Sequence, residues 1–126
     1  YLLSKNKSEQ NVEKSISQEY VNFAISKIKT KYNEGDFNVT LLAKTLGLTR
    51  EHFSTVFKEV TGSSPVNYLI DYRINQAKKL LERGLSVTQT AFDTGFNSSS
   101  NFSVQFRKKV GVSPIVYKKR SKINEN

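Results

Sequence analysis

Cysteine is absent from this sequence of 126 residues, and so is methionine, even at position 1. Without cysteine the chain has no disulfide, no thiolate metal ligand and no cysteine nucleophile, and it is compatible with a reducing cytosol. The missing methionine predicts that the chain is a piece of a longer protein. No apolar run approaches the roughly 18 residues of a membrane-spanning helix, and no secretory signal pattern opens the chain.

Residues suited to catalysis are also scarce. The chain has one histidine, His52, and its acidic residues form no cluster with metal-ligand spacing. It has no glycine-rich phosphate loop. These gaps disfavour an enzyme, including one that acts on nucleic acids, and they predict neither a cofactor nor a bound metal.

Acidic residues are outnumbered by basic ones. Eleven Asp and Glu stand against 20 Lys and Arg, which gives a formal net charge of +9. This balance favours a polyanionic partner, which means DNA, RNA or an acidic membrane surface. A membrane-surface helix would carry a basic face opposite a large apolar face within one segment. Because the basic residues are instead scattered over several short segments, the sequence favours nucleic acid and predicts no membrane association.

The strongest positive signal is an internal repeat. The first copy contains, in order, Ala43, Gly47, Phe53, Phe57, Gly62, Pro65 and Tyr68, and the second contains Ala91, Gly95, Phe102, Phe106, Gly111, Pro114 and Tyr117. The two copies are offset by 48 positions as far as the first glycine and by 49 positions from the first phenylalanine onward. One residue has therefore been inserted just after the glycine of the second copy.

Each copy is predicted to form two short helices around a tight turn, which is the size and shape of a DNA-binding helix-turn-helix. Gly47 and Gly95 are expected to end the first helices, because glycine readily adopts the left-handed conformation that turns the chain. The expected N-caps are Asn38 and Ser86 for the first helices, and Thr49 and Asn97 for the second helices at about 50–61 and 98–110.

Apolar spacing predicts which helix faces pack inward. In the second helices of the two copies the inward residues are expected to be Phe53, Phe57, Val60, Phe102, Phe106 and Val110. Further amphipathic helices are predicted at about 18–33 and 65–83. The latter, about 28 Å long at 1.5 Å per residue, would hold the two copies at a fixed separation.

The predicted organisation follows from these elements. The fold class is all-α, with two helix-turn-helix units, about 38–61 and 86–110, joined by the long linking helix at about 65–83. Residues 1–16 and 121–126 are polar and without a sustained period, so they are predicted to be a linker or disordered segment and a tail. The DNA-binding domain is expected to occupy 17–120.

The second copy, AFDTGFNSSSNFSVQFRKKVGVSPIVYKK, resembles the signature of the AraC/XylS family of bacterial transcription regulators, with its Ala, Gly-Phe, Phe, Phe-Arg/Lys-Lys, Gly, Ser-Pro and Tyr. The segment SPVNYLIDYRINQAKKLLE resembles the helix that joins the family's two units. The resemblance covers roughly 17–119. Three positions depart from it: Thr90 replaces a usual aliphatic residue, and Thr55 and Val104 stand where many members carry Arg.

This resemblance implies about seven helices and two recognition helices that read successive major grooves of double-stranded DNA. It also implies a cytoplasmic transcription regulator that works with RNA polymerase; an activator is expected, and the sequence leaves repression open as the alternative. Family members often carry a separate ligand-sensing or dimerisation domain upstream. Any oligomerisation is therefore expected to occur through a domain that precedes these residues.

Side chains that read DNA lie on the outward face of a helix in the major groove. Placing the phenylalanine face inward, at about 100° per residue, turns one polar face of each second helix outward. Together with the family's base-contacting positions, this predicts base contacts by Glu51, Ser54, Thr55, Ser99, Ser100, Asn101, Ser103 and Val104. The predicted phosphate contacts are Arg50, Lys58, Arg107, Lys108, Lys109, Lys118 and Lys119.

Each of these assignments has a structural alternative. Glu51 in a first turn also favours the helix dipole, the serines at 98–100 also serve as caps, and Val104 either meets a thymine methyl or packs on the protein. For any single lysine, the alternative to a phosphate contact is a solvated surface charge. Asn101 is the best candidate for base reading, because a carboxamide pairs with two edges of adenine. At the level of function, an architectural or RNA-binding protein is the alternative, and its binding would be nearly independent of sequence.

Overall fold

The computed structural model describes residues 7–124, and in that range every regular element is an α-helix. In chain order the helices are α1 Lys7–Lys31, α2 Val39–Thr45, α3 Arg50–Thr61, α4 Pro65–Glu82, α5 Val87–Asp93, α6 Ser99–Val110 and α7 Pro114–Asn124. The predicted all-α class of about seven helices is confirmed. None of these helices combines the length and the apolar character needed to cross a bilayer.

Two helix-turn-helix units, α2–α3 and α5–α6, form where the repeat predicts them. Asn38 and Ser86 cap α2 and α5, and each side chain accepts a hydrogen bond from the N–H three residues further on. Gly47 and Gly95 follow the two helices with φ of 73° and 90°. At these angles a side chain would crowd the backbone, so glycine lets the chain turn sharply from one helix into the next.

The N-cap of α6 differs from the prediction. Thr49 caps α3 as expected, but α6 is capped by Ser98 and not by Asn97. The Ser98 hydroxyl accepts a hydrogen bond from the N–H of Asn101 at 3.0 Å. The residue inserted after Gly95 lengthens the second turn by one, and the capping position moves along the chain by the same amount.

The two outermost predicted segments are shorter than expected, because α1 and α7 extend into them. Helix α1 begins at Lys7 instead of near position 18, so 7–16 is helical and not disordered, and α7 includes 121–124 of the predicted tail. Extending a packed helix is easier than nucleating one, and 7–31 contains no glycine or proline to stop it. The remaining parts of these segments, 1–6 and 125–126, lie outside the described residues.

The buried side chains form two clusters, one in each unit. The first consists of Val21, Ala24, Ile28, Phe37, Val39, Leu42, Ala43, Phe53, Val56, Phe57 and Leu69. The second consists of Ile74, Ala77, Leu81, Ala91, Phe96, Phe102 and Phe106. Helix α4 contributes to both clusters, with Leu69 in the first and three residues in the second, and it thereby joins the units.

The repeat extends to the aromatic contacts inside these clusters. Phe57 meets Tyr68 edge to face, with ring centroids 5.3 Å apart, and Phe106 meets Tyr117 in the same way at 5.5 Å. The Tyr117 hydroxyl also donates a hydrogen bond to Glu82 at the end of α4. Burial, together with this carboxylate, raises the pKa of Tyr117 to about 12, so the phenol stays protonated and can donate even above its usual pKa of 10.

One predicted core position is wrong. Val60 was expected to face inward, but its side chain is 36% exposed, whereas Val56 is 7% exposed and belongs to the first cluster. Val110 is partly buried against the second cluster. Because α3 ends at Thr61, its last turn passes the edge of the core, and burial shifts to the preceding turn.

Thr90 is a polar residue at a fully buried position, and its hydroxyl has no hydrogen-bond partner within the described part of the chain. Thr94, one turn later, is also fully buried, but its hydroxyl donates to the carbonyl of Thr90 at 2.7 Å. A buried hydroxyl without a partner costs on the order of 1–3 kcal/mol. In the family that the sequence resembles, an aliphatic residue usually takes this position, and such a residue avoids that cost.

We therefore expect Thr90→Val, which keeps the shape and removes the hydroxyl, to raise the free energy of unfolding by about 1 kcal/mol. Thr94→Val is the matched control, because it removes a hydroxyl that is bonded, and it should lower the same quantity by about 1 kcal/mol. Urea unfolding followed by circular dichroism measures both. A loss of stability in Thr90→Val would mean that its hydroxyl is satisfied after all.

Candidate nucleic-acid interface

Helix α3 presents a polar outward face opposite its two buried phenylalanines. Glu51, Thr55 and Lys58 are exposed on this face, and Ser54 is half-buried beside them. The Thr55 hydroxyl donates to the carbonyl of Glu51 at 3.1 Å, so it is oriented along the helix and still has free acceptor capacity. The predicted contacts of the first unit are therefore gathered on one accessible surface.

Helix α6 presents the corresponding face in the second unit. Ser100 and Asn101 are exposed, and Ser99 and Ser103 are half-buried at the edges of the face. Val104 is 63% exposed, so it does not pack on its own domain. This exposure leaves the methyl groups of Val104 available to a ligand.

The predicted phosphate-contacting cations fall into two groups. Arg107, Lys108 and Lys119 are exposed, and Lys118 is half-buried. Lys109 is different, because its ammonium lies 3.0 Å from the carboxylate of Asp71 on α4. In the free protein this cation is already paired, and an approaching phosphate would have to replace the carboxylate.

The first-unit cation Arg50 is held in a defined direction. Its guanidinium donates a hydrogen bond to the hydroxyl of Thr40 at 2.9 Å, which ties the start of α3 to the start of α2. Both side chains line a cleft of about 630 Å³ between the two units. Arg50 therefore belongs to the wall of the cleft as well as to the predicted DNA face.

The cleft also contains polar residues that the sequence pattern does not single out. Lys44, Arg73 and Gln105 line it together with Arg50 and Asn101, and none of its lining residues is acidic. Gln105 follows Asn101 by four positions on α6, a spacing that places both on the same side of the helix. That spacing was a usable signal for Gln105, whereas nothing in the sequence connected Arg73 with this region.

No metal site is assembled at this surface or elsewhere in residues 7–124, where no three His, Asp or Glu side chains come together. The single histidine, His52, is exposed on α3. The surface thus offers hydrogen-bonding and cationic groups. This chemistry suits recognition of a polyanion.

Comparison with known proteins identifies the family. A family of helix-turn-helix domains matches residues 42–120, which is more than half of the chain. The chain belongs to the AraC-type helix-turn-helix family. Its fold agrees with that of the DNA-binding domain of AdpA, which was solved in complex with a target DNA: the TM-score is 0.77 at 30% identity, covering 82% of this chain and 94% of that one.

Other relatives of this AraC-type domain are transcription regulators. The C-terminal domain of AraT, a response regulator from Geobacillus stearothermophilus, gives a TM-score of 0.77 at 26% identity and covers 80% of this chain and 84% of that one. An HTH-type transcriptional regulator of Pseudoalteromonas carrageenovora is 37% identical over 84 residues, covering 67% of this chain and 50% of that protein. The Staphylococcus aureus regulatory protein HptR is 32% identical over 103 residues, covering 82% and 40%.

The chain thus spans half or less of the length of these two curated relatives. What the comparisons establish is that it forms a DNA-binding domain of a transcription regulator.

The Lys109–Asp71 pair in this AraC-type domain gives a test of the predicted phosphate contacts. Asp71→Asn should strengthen binding to nonspecific duplex DNA, because a phosphate that binds Lys109 no longer has to displace the Asp71 carboxylate. Asp93→Asn is the control, since it changes the net charge equally at a carboxylate that accepts from Gln89. Equal effects of the two variants would show that Lys109 contacts no phosphate.

Proposed function

We propose that this domain binds double-stranded DNA with α3 and α6 lying in two successive major grooves on one face of the duplex. The observation that carries the proposal is the pair of exposed polar faces on equivalent helices of two repeated units, held on one shared helix. Helix α4 has 18 residues and is therefore about 27 Å long. Successive major grooves on one face of B-DNA are about 34 Å apart, a separation that α4 and the flanking helices can span.

Base reading is assigned to the two exposed faces. In the first unit Glu51 can accept from the exocyclic amine of cytosine, with Ser54 and Thr55 as hydroxyl partners beside it. In the second unit Asn101 can pair with both major-groove edges of adenine, and Val104 can contact a thymine methyl. Ser99, Ser100 and Ser103 are the remaining proposed base contacts.

Phosphate binding is assigned to the cations that border these faces. They are Arg50, Lys58, Arg107, Lys108, Lys109, Lys118 and Lys119. Contacts of this kind fix the register of the protein on DNA and carry little sequence information. If about six to eight phosphates are neutralised, log K should fall with log salt at a slope of about −5 to −7.

For the whole protein we propose a cytoplasmic transcription activator without catalytic activity that works with RNA polymerase and oligomerises, if at all, through a domain preceding these residues. The support is the length of the relatives, of which this chain covers half or less, and the role of those relatives as transcription regulators.

Selection of bound sequences from random duplexes tests the DNA-reading proposal. The expected result is a motif of two short segments whose centres are about 10–10.5 base pairs apart, one helical turn. Enrichment of a single segment would mean that one unit reads and the other does not. No enriched motif would favour an architectural protein, because such proteins bind with little dependence on sequence.

Two substitutions on α6 separate base reading from phosphate binding. Asn101→Ala should cost on the order of 1–3 kcal/mol on the selected duplex and relax the preference at one or two base pairs. Lys108→Ala should weaken binding to all duplexes alike and make the salt slope about one unit shallower, because any phosphate satisfies an ammonium.

Both side chains are exposed and lie away from the buried Phe102 and Phe106, so neither variant should lose its fold. Fluorescence anisotropy on selected and scrambled duplexes measures both effects. Equal losses of Asn101→Ala on the two duplexes would show that this residue does not read sequence.

A further inference from the structure

The two units have separate cores, which raises the question of what fixes their relative orientation. No residue of one buried cluster belongs to the other. Helix α4 joins them, with Leu69 in the first cluster and Ile74 in the second, only five positions apart. A shared helix fixes the units only if each is also prevented from rotating about it.

Arg73 lies on α4 between those two core residues, and it reaches into the first unit. Its Nε donates to the carbonyl of Tyr32 at 2.8 Å, and one terminal nitrogen donates to the carbonyls of Glu34 and Phe37 at 3.2 and 3.1 Å. All three carbonyls belong to the segment between α1 and α2, which packs on the first unit through Phe37 and Tyr32. One side chain therefore fastens α4 to three points of the first unit.

The same guanidinium also contacts the second unit. Its central carbon lies 6.0 Å from the ring centroid of Phe96 in the α5–α6 turn. The neighbouring Gly95 is so close that a Cβ there would lie 2.2 Å from the Tyr32 carbonyl oxygen and 2.8 Å from Arg73 Nε. The turn of the second unit is thus in direct contact with the first unit.

The first unit offers an internal comparison for this contact. Gly47 occupies the same position in the α2–α3 turn, with φ of 73°, but a Cβ added to it would meet no atom within 4 Å. Backbone conformation accounts for glycine at both places. Close approach to another unit is a second requirement that applies to Gly95 and not to Gly47.

We propose that the inter-unit junction, formed by Arg73, Gly95 and the Tyr32 carbonyl, fixes the distance and rotation between α3 and α6 and so sets the number of base pairs between the two DNA half-sites. Arg73 is a positioning residue in this scheme. The planar guanidinium presents several donors in a fixed geometry, which suits it to hold three carbonyls at once. The claim about half-site spacing rests on the proposed function, whereas the claim that the junction fixes the orientation of the two units does not.

The junction can first be tested without DNA. The chain has no cysteine, so Glu59→Cys on α3 and Thr88→Cys on α5, both exposed, provide one spin label in each unit. We expect a narrow distance distribution in the parent protein and one about twice as wide after Arg73→Met. Arg50→Met, which removes another cation from the same cleft, should leave the width unchanged. Equal widths in the Arg73→Met and parent proteins would overturn the proposal.

The second test uses duplexes that carry the selected half-sites at altered spacing. One inserted base pair moves a half-site by about 3.4 Å and rotates it by about 35°. The parent should lose about tenfold or more in affinity, and Arg73→Met less than about threefold, because its units can reorient. Arg50→Met should bind more weakly at every spacing and keep the spacing dependence of the parent.

A loss by Arg73→Met that is the same at every spacing would indicate a phosphate contact or a damaged fold, and it would contradict the junction. A parent protein that binds neither half-site contradicts the proposed function instead. In that case the distance distributions between the spin labels test the junction on their own.

Glycine variants keep the proposal testable if Arg73→Met fails to fold. Gly47→Ala and Gly95→Ala both place a side chain in the left-handed region, but only the latter collides with the Tyr32 carbonyl. Gly47→Ala should lower the melting temperature by about 5 °C and leave the label distance unchanged. Gly95→Ala should lower it by about twice as much and shift the distance. Equal melting temperatures and equal distances in the two variants would overturn the proposal.

Discussion

Helix α4 must bury side chains in two cores at once, and the rest of the structure depends on this constraint. The two clusters contain 11 and 7 buried residues, and each is a small core for an independent domain. Sharing α4 lets both units bury apolar surface against a common element. The Phe–Phe–Tyr arrangement recurs in both halves of the domain, with the tyrosine supplied by α4 in the first and by α7 in the second.

The two units are nevertheless not equivalent. The α2–α3 turn at Gly47 is open on its outer side, whereas the α5–α6 turn at Gly95 rests on the Tyr32 carbonyl. The outward faces also differ in chemistry, since α3 presents a carboxylate and α6 presents hydroxyls, an amide and an exposed valine. Under the proposed function, the first unit would suit cytosine and the second adenine and thymine. The duplicated scaffold thus supports two different reading surfaces.

Most of the fold could be predicted because both copies of the repeat contain residues that mark where helices begin and end. Two capping residues and two turn glycines marked the ends of α2 and α5, and periodic phenylalanines marked the inward faces of α3 and α6. The errors arose where local pattern and tertiary context disagree. The inserted residue in the second turn moved the cap from Asn97 to Ser98. Val60 has helical spacing to Phe53 and Phe57, but the core ends before its turn.

The outline of the candidate interface could be predicted, because identifying the buried face of a helix also identifies the opposite face as exposed. The sequence did not disclose that Lys109 is paired with Asp71, since these residues are 38 positions apart and meet only through the packing of α6 on α4. Arg73 was missed for the same reason. Its three acceptors are backbone carbonyls, which every residue has, so no side-chain pattern marks them.

Hydroxyl-radical footprinting of the domain on its selected duplex tests most directly whether two units read two grooves. We expect two protected patches on one face of the duplex, with centres about 10–10.5 base pairs apart. A single patch, or two patches on opposite faces, would contradict it.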